Sequence, residues 1–376
     1  MTRFLLINDT SKESNPGCRA ASSTFLESLR VRGEIVARIP VGNGVRAFAE
    51  LEGVRRRCVI KETGAFSHYD EIVTEINVGD WQGCAEGLFR NDPILRSALE
   101  DCDEIVVNAE GTIHHNLPRA VALLGLIAFA GRMGKPLIVI NATVMAMDPN
   151  LLREAFRSVT FVHVRESDSQ RYLRSVCPKL HIVQCPDLAF GAAPDKMEAD
   201  RSFRSSSPQG VLFTTGVFGT GKQFEVLANA LLPHFESLAF LAVGDGGEAQ
   251  ELPELCESYG IRFINCAELD WWEVLELLKA YELVVSGRHH INIFAVLANR
   301  PLIALPSNTW KIKATLADLG HEFGPVATHR ELRQRLEFGK LSNFASFVVP
   351  DRAVRSAINQ VNNLTKEVAN GNYHSV

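Results

Sequence analysis

Short apolar runs rich in β-branched residues recur along the chain, and the stretches between them repeat apolar positions at helical spacing. The runs predict strands at Phe4–Asn8, Ile35–Ile39, Glu104–Val107, Leu137–Ile140, Val159–Val164, Val211–Thr214, Ala239–Val243, Ile261–Ile264, Leu283–Val285 and Leu302–Leu305. Amphipathic or apolar stretches such as Ala20–Val31, Leu151–Val159, Phe224–Phe235, Trp271–Ala280 and Ile291–Ala298 predict helices between them. Alternation of this kind, with few hairpin signals, predicts an α/β protein whose parallel sheets are covered on both faces. The segment Gly191–Gly210 has no apolar period and many turn formers, so it reads as a crossing between two halves. We expect two Rossmann-like domains facing across a cleft, residues 1–196 and 207–350. Residues 351–376 would form a last helix that returns to the first domain, and a frayed tail.

Composition narrows the function classes. The 376 residues carry 39 Lys and Arg against 44 Asp and Glu, a formal net charge of -5. That balance argues for a small ligand and against nucleic acid, which needs a basic excess. The longest apolar run, Ala120–Gly131, lies between Arg119 and Arg132 and is 12 residues long, against about 20 for a membrane span. No integral membrane segment is therefore expected. The N-terminus meets Asn8-Asp9 before a signal-peptide core could form. The eight cysteines form no C-x-x-C pair, which fits reduced thiols in a cytoplasmic protein and no structural metal.

Ligands of open α/β sheets bind beyond the carboxyl ends of the strands. Polar residues gather at those positions here: Asn8-Asp9-Thr10, Asn108-Ala109-Glu110-Gly111-Thr112, Asn141, Arg165-Glu166-Ser167, Asp187, Gly216, Gly244-Asp245-Gly246-Gly247, Ser286-Gly287-Arg288-His289-His290 and Ser307-Asn308. Helix capping accounts for single cases, with Asp9, Ser167 and Asp245 suited to it, but a cleft accounts for the set. In Ser286–His290 a strand ends in a fixed cation and two imidazoles, and a helix follows at once. Its first N–H groups add to the guanidinium to make an anion site, with a histidine able to move a proton near neutrality. Arg165 is the matching cation of the first half, with a salt bridge to Glu166 or Asp168 as the structural alternative. Gly216 to Gln223 nearly spells a phosphate-binding loop, but Gln223 stands where a hydroxyl would hold magnesium. His114-His115 are adjacent, and adjacent side chains point apart with no third ligand evident, so no metal is expected. His68, Asp70 and Asp80 belong to a loop-rich connection, and Trp271-Trp272 read as helix-face packing.

These motifs resemble the polysaccharide pyruvyl transferase family. Ser286-x-Arg288-x-His290-x-x-Ile293-Phe294-Ala295, then Arg300-Pro301-Leu302, then Asn308-Thr309-Trp310-Lys311, are similar to that family's S-x-R-x-H-x-x-x-F-A, G-x-P and N/D-x-x-K stretches. Val164-Arg165-Glu166-x-x-Ser169 and Cys185-Pro186-Asp187-Leu188-Ala189-Phe190 resemble V-R-E/D-x-x-S and D-P/L-A-F. Two places depart: the early N-x-G-D is Asn15-Pro16-Gly17-Cys18 here, and the G-G-G is Ala109-Glu110-Gly111.

The resemblance implies a GT-B-like transferase that moves the enolpyruvyl group of phosphoenolpyruvate onto a sugar diol, forming a pyruvate ketal and releasing phosphate. It implies phosphoenolpyruvate as donor substrate, no other cofactor and no metal. The saccharide acceptor would be soluble, or lipid-linked at the inner membrane face. Donor binding is expected from Arg165, Ser286, Arg288, His289, His290, Asn308 and Lys311. Acceptor binding is expected from Asn8, Asp9, Asn15, Gly17, Asn108, Glu110 and Asn141. Catalysis is expected from Arg288, from His290 as phosphate or acid partner, and from Glu110 or Asp187 as base. The alternatives are a glycosyltransferase using a nucleotide sugar in the same architecture, or a degenerate member that binds a glycan without chemistry.

Overall fold

The computed structural model describes residues 1–39, 60–63, 66–69, 83, 86, 93–192, 209–217, 219, 221–243 and 247–373. Two parallel sheets form the frame. The first holds β1 (Thr2–Ile7), β2 (Gly33–Ile39), β3 (Glu104–Asn108), β4 (Leu137–Ala142), β5 (Phe161–Val164) and β6 (Ile182–Gln184) in the order β6-β5-β4-β3-β1-β2. The second holds β7 (Val211–Phe213), β8 (Leu238–Ala242), β9 (Arg262–Asn265), β10 (Leu283–Ser286) and β11 (Leu302–Ala304) in the order β9-β8-β7-β10-β11. All pairs within these sheets are parallel. Two short pairs, Ile60–Thr63 with Phe66–Tyr69 and Ile113–His114 with Val144–Met145, lie outside them.

Strand order reverses once in each sheet, between β1 and β3 in the first and between β7 and β10 in the second. At such a point the connections leave to opposite faces and open a crevice beyond the strand ends. The residues that follow these four strands are Asn8, Ala109-Glu110, Thr214-Thr215 and Gly287-Arg288, so the topology alone brings the polar strand ends together.

The helices are set by local chemistry. In α1 (Pro16–Arg32), Asn15 Oδ1 accepts from Gly17 N at 3.0 Å, Pro16 occupies the first turn, and Arg30 and Arg32 close the last. Helix α2 (Pro118–Gly131), which contains the apolar run Ala120–Gly131, is apolar nearly all round and packs in the core of the first half. Among the described residues no helix is long and apolar enough to cross a membrane. Helices α3 (Ser167–Val176), α4 (Gly221–Leu231) and α5 (Trp271–Leu278) flank the sheets. The capping box of Asp270 and Glu273 starts α5, whose Trp271 packs on the core while Trp272 is more exposed. In α6 (His289–Leu297) every residue is buried, because it runs between the two halves.

One apolar cluster crosses that junction. It joins Phe4, Phe25 and Phe190 of the first half to Val284, Ile291 and Phe294 of the second. The last long helix, α8, spans Asp351–Asn370, with α7 (Lys311–Asp318) before it. It lays Ala357, Val361, Leu364 and Val368 into the same cluster, against α1 and the turn Leu188–Ala192. Other contacts also tie the halves: Ser167 N and Oγ donate to Asp318 at 2.8 and 2.6 Å, and Arg19 bonds the Leu269 carbonyl. Of the expected crossing Gly191–Gly210, residues 193–208 lie outside the described residues, as do Asp70, Asp80 and Asp245 and the side chain of His68.

Two capping expectations are corrected. Asp9 caps no helix; its carboxylate accepts from Ser11 N and pairs with Arg38. Ser167 is the first residue of α3, with Glu166 at the cap position, and its hydroxyl goes to Asp318 instead.

Candidate active site

A cavity of about 340 Å³ opens between the two reversal points. From the first half it is lined by Thr10, Glu13, Asn15, Cys18, Glu110, Gly111, His114, Arg119 and Arg165; from the second, by Arg288, His289, His290 and Lys311. A second recess of about 440 Å³ continues past Arg288, along Gly219, Gly247, Glu248 and Glu251.

Arg165 follows β5 and is almost fully buried. Its Nε donates to Thr143 Oγ1 at 2.8 Å and one terminal nitrogen to Asp187 Oδ2 at 2.6 Å, with Glu166 at 3.8 Å. Asp168, the other suggested partner, bonds Arg171 instead. The remaining terminal nitrogen faces Gly111, 2.9 Å from where a Cβ would stand, and Lys311 Nζ is 3.2 Å from that same point. Any side chain at 111 would displace one of the two cations.

Asp187 is the hub beneath. Its Oδ2 takes Arg165, then His289 Nε2 at 3.2 Å, and His290 Nε2 lies at 3.6 Å. Burial alone would raise its pKa, but the charge of Arg165 and the two imidazoles outweigh burial and hold it well below the usual carboxylate range. Fully buried and away from the cavity wall, Asp187 cannot serve as the base that the sequence suggested. Its geometry makes it the group that fixes Arg165 and both histidines. Asp187, His289 and His290 also have spacing that would suit a metal ion. The oxygen such an ion would use already accepts from Arg165, whose charge opposes a second cation there.

The histidines differ. Burial first, and then Arg165, push His289 well below its usual range, so it is neutral. His290 is wedged against the start of α1, where a Cβ on Gly17 would fall 1.9 Å from its Cγ and 2.3 Å from its Nδ1. Gly17 is thus required bare for His290 to sit where it does. His290 Nε2 has no hydrogen-bond partner, and its nearest polar group is the Asp187 carboxylate.

Arg288 is held by a 2.7 Å ion pair with Glu248, whose carboxylate also accepts from Thr215 and from Val243 N. Ser286 does not reach the cavity; its Oγ meets Thr214 Oγ1 at 2.9 Å and accepts from Arg288 N at 3.0 Å, setting the turn. A Cβ at Gly287 would lie 2.6 Å from Gly216 Cα, so β7 and β10 end in a bare backbone contact. The glycine-rich turn after β7 is used internally, since Gly216 N donates to Gln223 Oε1 at 3.0 Å. That bond leaves this N–H unavailable to a phosphate.

Glu110, next to Gly111 on the cavity, stands in the left-handed region at φ 43. Such a backbone costs a non-glycine residue on the order of 1 kcal/mol or more. Three donors hold its carboxylate: Thr10 Oγ1, Cys18 Sγ at 3.0 Å and Asn108 Nδ2 at 3.3 Å. Burial and the Glu110 charge push the Cys18 thiol well above its usual pKa, so it donates as a thiol. Asn8 and Asn108 stand behind this network: Asn8 Nδ2 donates to Asn108 O at 2.6 Å, and Asn108 Nδ2 to Thr10 Oγ1 at 3.0 Å. Neither lines the cavity.

Two acceptor-site expectations fail outright. Asn141 is fully buried and its Oδ1 accepts from Leu188 N, which places it in the fold and not at the cavity. Asp9 points to Arg38. The histidine pair also corrects the expectation that adjacent rings point apart: His114 Nδ1 and His115 Nδ1 are 2.9 Å from each other. Asn308 Nδ2 donates to His114 Nε2 at 3.3 Å, so His114 bears its proton on Nδ1 and gives it to His115. Burial, with Lys311 nearby, depresses His114 well below its usual pKa, and burial brings His115 to about 4.

Arg119 and Glu248 are cavity or positioning groups that the sequence reading does not single out, while Thr10 enters it only as a polar strand end and His114 only as a rejected metal ligand. His114 carried the one usable signal, a histidine just past a polar strand end; Glu248, in a short helix far from any motif, carried none.

Comparison with known proteins follows the same line. No curated protein sequence matches the chain significantly. Among solved structures, UDP-GlcNAc 2-epimerase from Neisseria meningitidis bound to UDP-GlcNAc superposes with a TM-score of 0.61 at 11% identity, covering 98% of this chain and 100% of that one. A putative UDP-N-acetylglucosamine 2-epimerase from Listeria monocytogenes gives 0.59 at 11% identity, covering 100% and 98%. S. aureus MnaA with UDP gives 0.57 at 13%, covering 97% and 98%. These likenesses are of fold alone, and they make the architecture GT-B-like. The family model described as polysaccharide pyruvyl transferase matches residues 26–309, a span holding Glu110, Arg165, Asp187 and the Ser286–His290 turn. With three quarters of its length inside that match, the chain belongs to the polysaccharide pyruvyl transferase family and is a transferase.

Proposed function

We propose that this transferase takes phosphoenolpyruvate as donor and builds a cyclic pyruvate ketal on a sugar diol. The observation that carries the reading is the convergence of Arg165, Arg288 and Lys311 on one cavity that the Glu110 carboxylate also lines. Phosphoenolpyruvate brings about three negative charges, and taking it out of water requires fixed cations at its carboxylate and phosphate. Arg165 and Arg288 meet that need from opposite halves, each preset by its own carboxylate. His290 and Asn15 line the same cavity, with His290 seated on Gly17. Glu110 is the base for the attacking hydroxyl, and its strained backbone is sustained by the network of Thr10, Cys18 and Asn108. Binding between halves supplies proximity and excludes water that would hydrolyse the activated pyruvyl group.

The acidic lining of the second recess, Glu248 and Glu251 beside Arg288, speaks against a nucleotide diphosphate there. Calorimetric titration tests the choice. Phosphoenolpyruvate is expected to bind saturably, and Arg288→Ala to abolish that binding, while Glu110→Gln keeps the binding and loses turnover. Binding of UDP- or GDP-sugars without phosphoenolpyruvate would overturn the reading.

A further inference from the structure

We infer that Lys311 is the acid that protonates the methylene carbon of the donor; this rests on the reading above and adds the identity of the proton donor. Protonation at that carbon creates the electrophile, so some group on the cavity wall must carry a transferable proton. The wall leaves few. Arg165 and Arg288 hold their protons permanently. His289 is neutral, with Nε2 on Asp187. His290 lines the cavity, but its Nε2 is turned inward to the Asp187 carboxylate and its ring packs on Gly17. His114 is neutral, accepts from Asn308 through Nε2 and gives its proton to His115. The Cys18 thiol is committed to Glu110.

Lys311 has what the others lack. It opens α7, lines the cavity, and points its ammonium at Gly111 beside Arg165. Arg165 is paired with Asp187 and Arg288 with Glu248, but among the described residues no carboxylate forms an ion pair with Lys311. The groups that face it are Arg165, Arg288, His114, Glu166 and Cys18. Burial first, then the charges of Arg165 and Arg288, bring its pKa down to about 8, which lets an ammonium give up a proton near neutrality. Lys311 also lies just beyond the span that the family model matches.

The step balances. The C=C electron pair of the donor takes a proton from Lys311, leaving a cationic centre at C2 and a neutral amine. A sugar hydroxyl adds to C2 and its proton goes to Glu110. The C2–O bond to phosphate then breaks, phosphate leaves with the electron pair and with the proton from Glu110, and the second hydroxyl adds to C2. Its proton returns to the Lys311 amine. The two hydroxyl protons thus end on the new methyl group and on phosphate, and both side chains regain their starting charge.

The test is Lys311→Arg, which keeps the positive charge but not a transferable proton. Wild-type and variant protein are titrated with phosphoenolpyruvate by calorimetry. Phosphate release is then followed across pH with a panel of methyl hexosides offering 4,6- or 3,4-diols. In Lys311→Arg, kcat should fall on the order of 10²-fold or more with KM for phosphoenolpyruvate within about threefold. The wild-type decline in kcat as pH rises through about 8 should vanish. Lys311→Ala should regain rate with added methylamine, in proportion to the protonated amine, which a merely structural lysine would not show. A variant that binds phosphoenolpyruvate and retains wild-type kcat with the same alkaline limb overturns the assignment while leaving the donor site standing. Absence of phosphoenolpyruvate binding in the wild type overturns both.

Discussion

Among the described residues, the buried arginine–carboxylate clusters at Arg32 and at Arg165 differ in what surrounds them, and Arg165 lines the cavity. Arg32, at the end of α1, meets Glu104 with both terminal nitrogens, at 2.6 and 3.3 Å. It also bonds the Val368 carbonyl at 3.2 Å and lies over the rings of Phe4 and Tyr373. The Tyr373 hydroxyl completes the set on Glu104. Every strong donor there finds an acceptor, and the cluster closes on itself, locking α8 onto the first sheet. The Arg165 cluster begins the same way, with a 2.6 Å pair to Asp187. Among the described residues, it then leaves a guanidinium edge beside an ammonium without an ion pair, and a His290 nitrogen without a hydrogen-bond partner. Both clusters are expensive to bury. The first is complete as it stands and acts as a clamp; the second leaves Arg165 and Lys311 side by side on the cavity wall.

Removing each hub separates the two most sharply. Asp187→Asn leaves Arg165 buried beside a neutral amide and removes the acceptor that orients two imidazoles. Breaking a buried pair in this way typically costs about 3–5 kcal/mol. We expect a loss of that size by urea titration, together with a fall in turnover on the order of 10³-fold or more, since Arg165 and both histidines lose their register at once. Equal turnover in Asp187→Asn and wild type would show that the hub is only structural.

The frame and the site differ in how far sequence could reach them. Alternating apolar runs mark the strands because burial on both sheet faces demands continuous apolar segments, and β1, β3, β10 and α6 fall on those runs. The last helix shows its register through Val361, Leu364 and Val368. Arg165, Arg288 and His290 are visible because a charge directly after a strand has no structural excuse until its partner is known. Those partners are the part that stayed hidden. Asp187 looks like a catalytic acid until Arg165 and two histidines are seen around it, and Glu248 pairs with Arg288 across 40 residues of chain with no periodicity to announce it. Asn141 and Asp9 fail for the complementary reason. A polar side chain at a strand end is equally able to bond a neighbouring backbone N–H, and pattern does not say which.

The clamp gives a smaller effect, confined to stability. Tyr373→Phe deletes the hydroxyl shared by Glu104 and Arg32 but leaves the ring over Phe161 and the guanidinium. We expect a loss of about 1–2 kcal/mol, as for a hydrogen bond to a charged group, with turnover unchanged. A variant that loses turnover in proportion to stability would mean that α8 holds the halves in their working arrangement, and the contrast between clamp and site would narrow.

The smallest effect distinguishes the clusters by pH. Glu166, fully buried next to Arg165, has its pKa raised to about 7, chiefly by burial, with Arg165, Thr143 and Ser169 partly offsetting the rise. Its unfolded value is near 4.5. Between those values the folded state binds more protons than the unfolded state, so this contribution to stability is full below about 4.5 and is lost as pH rises through about 7. Glu166→Gln mimics the protonated form and keeps an oxygen for the 3.1 Å bond from Ser169. Its melting temperature should match wild type near pH 5 and exceed it by a few degrees near pH 8. The Tyr373→Phe deficit should stay constant across the same range, since burial first, then Glu104, push the Tyr373 phenol far above it. A Glu166→Gln difference that does not grow between pH 5 and 8 would mean Arg165 keeps Glu166 ionised throughout, and that the site cluster is as fully paired as the clamp.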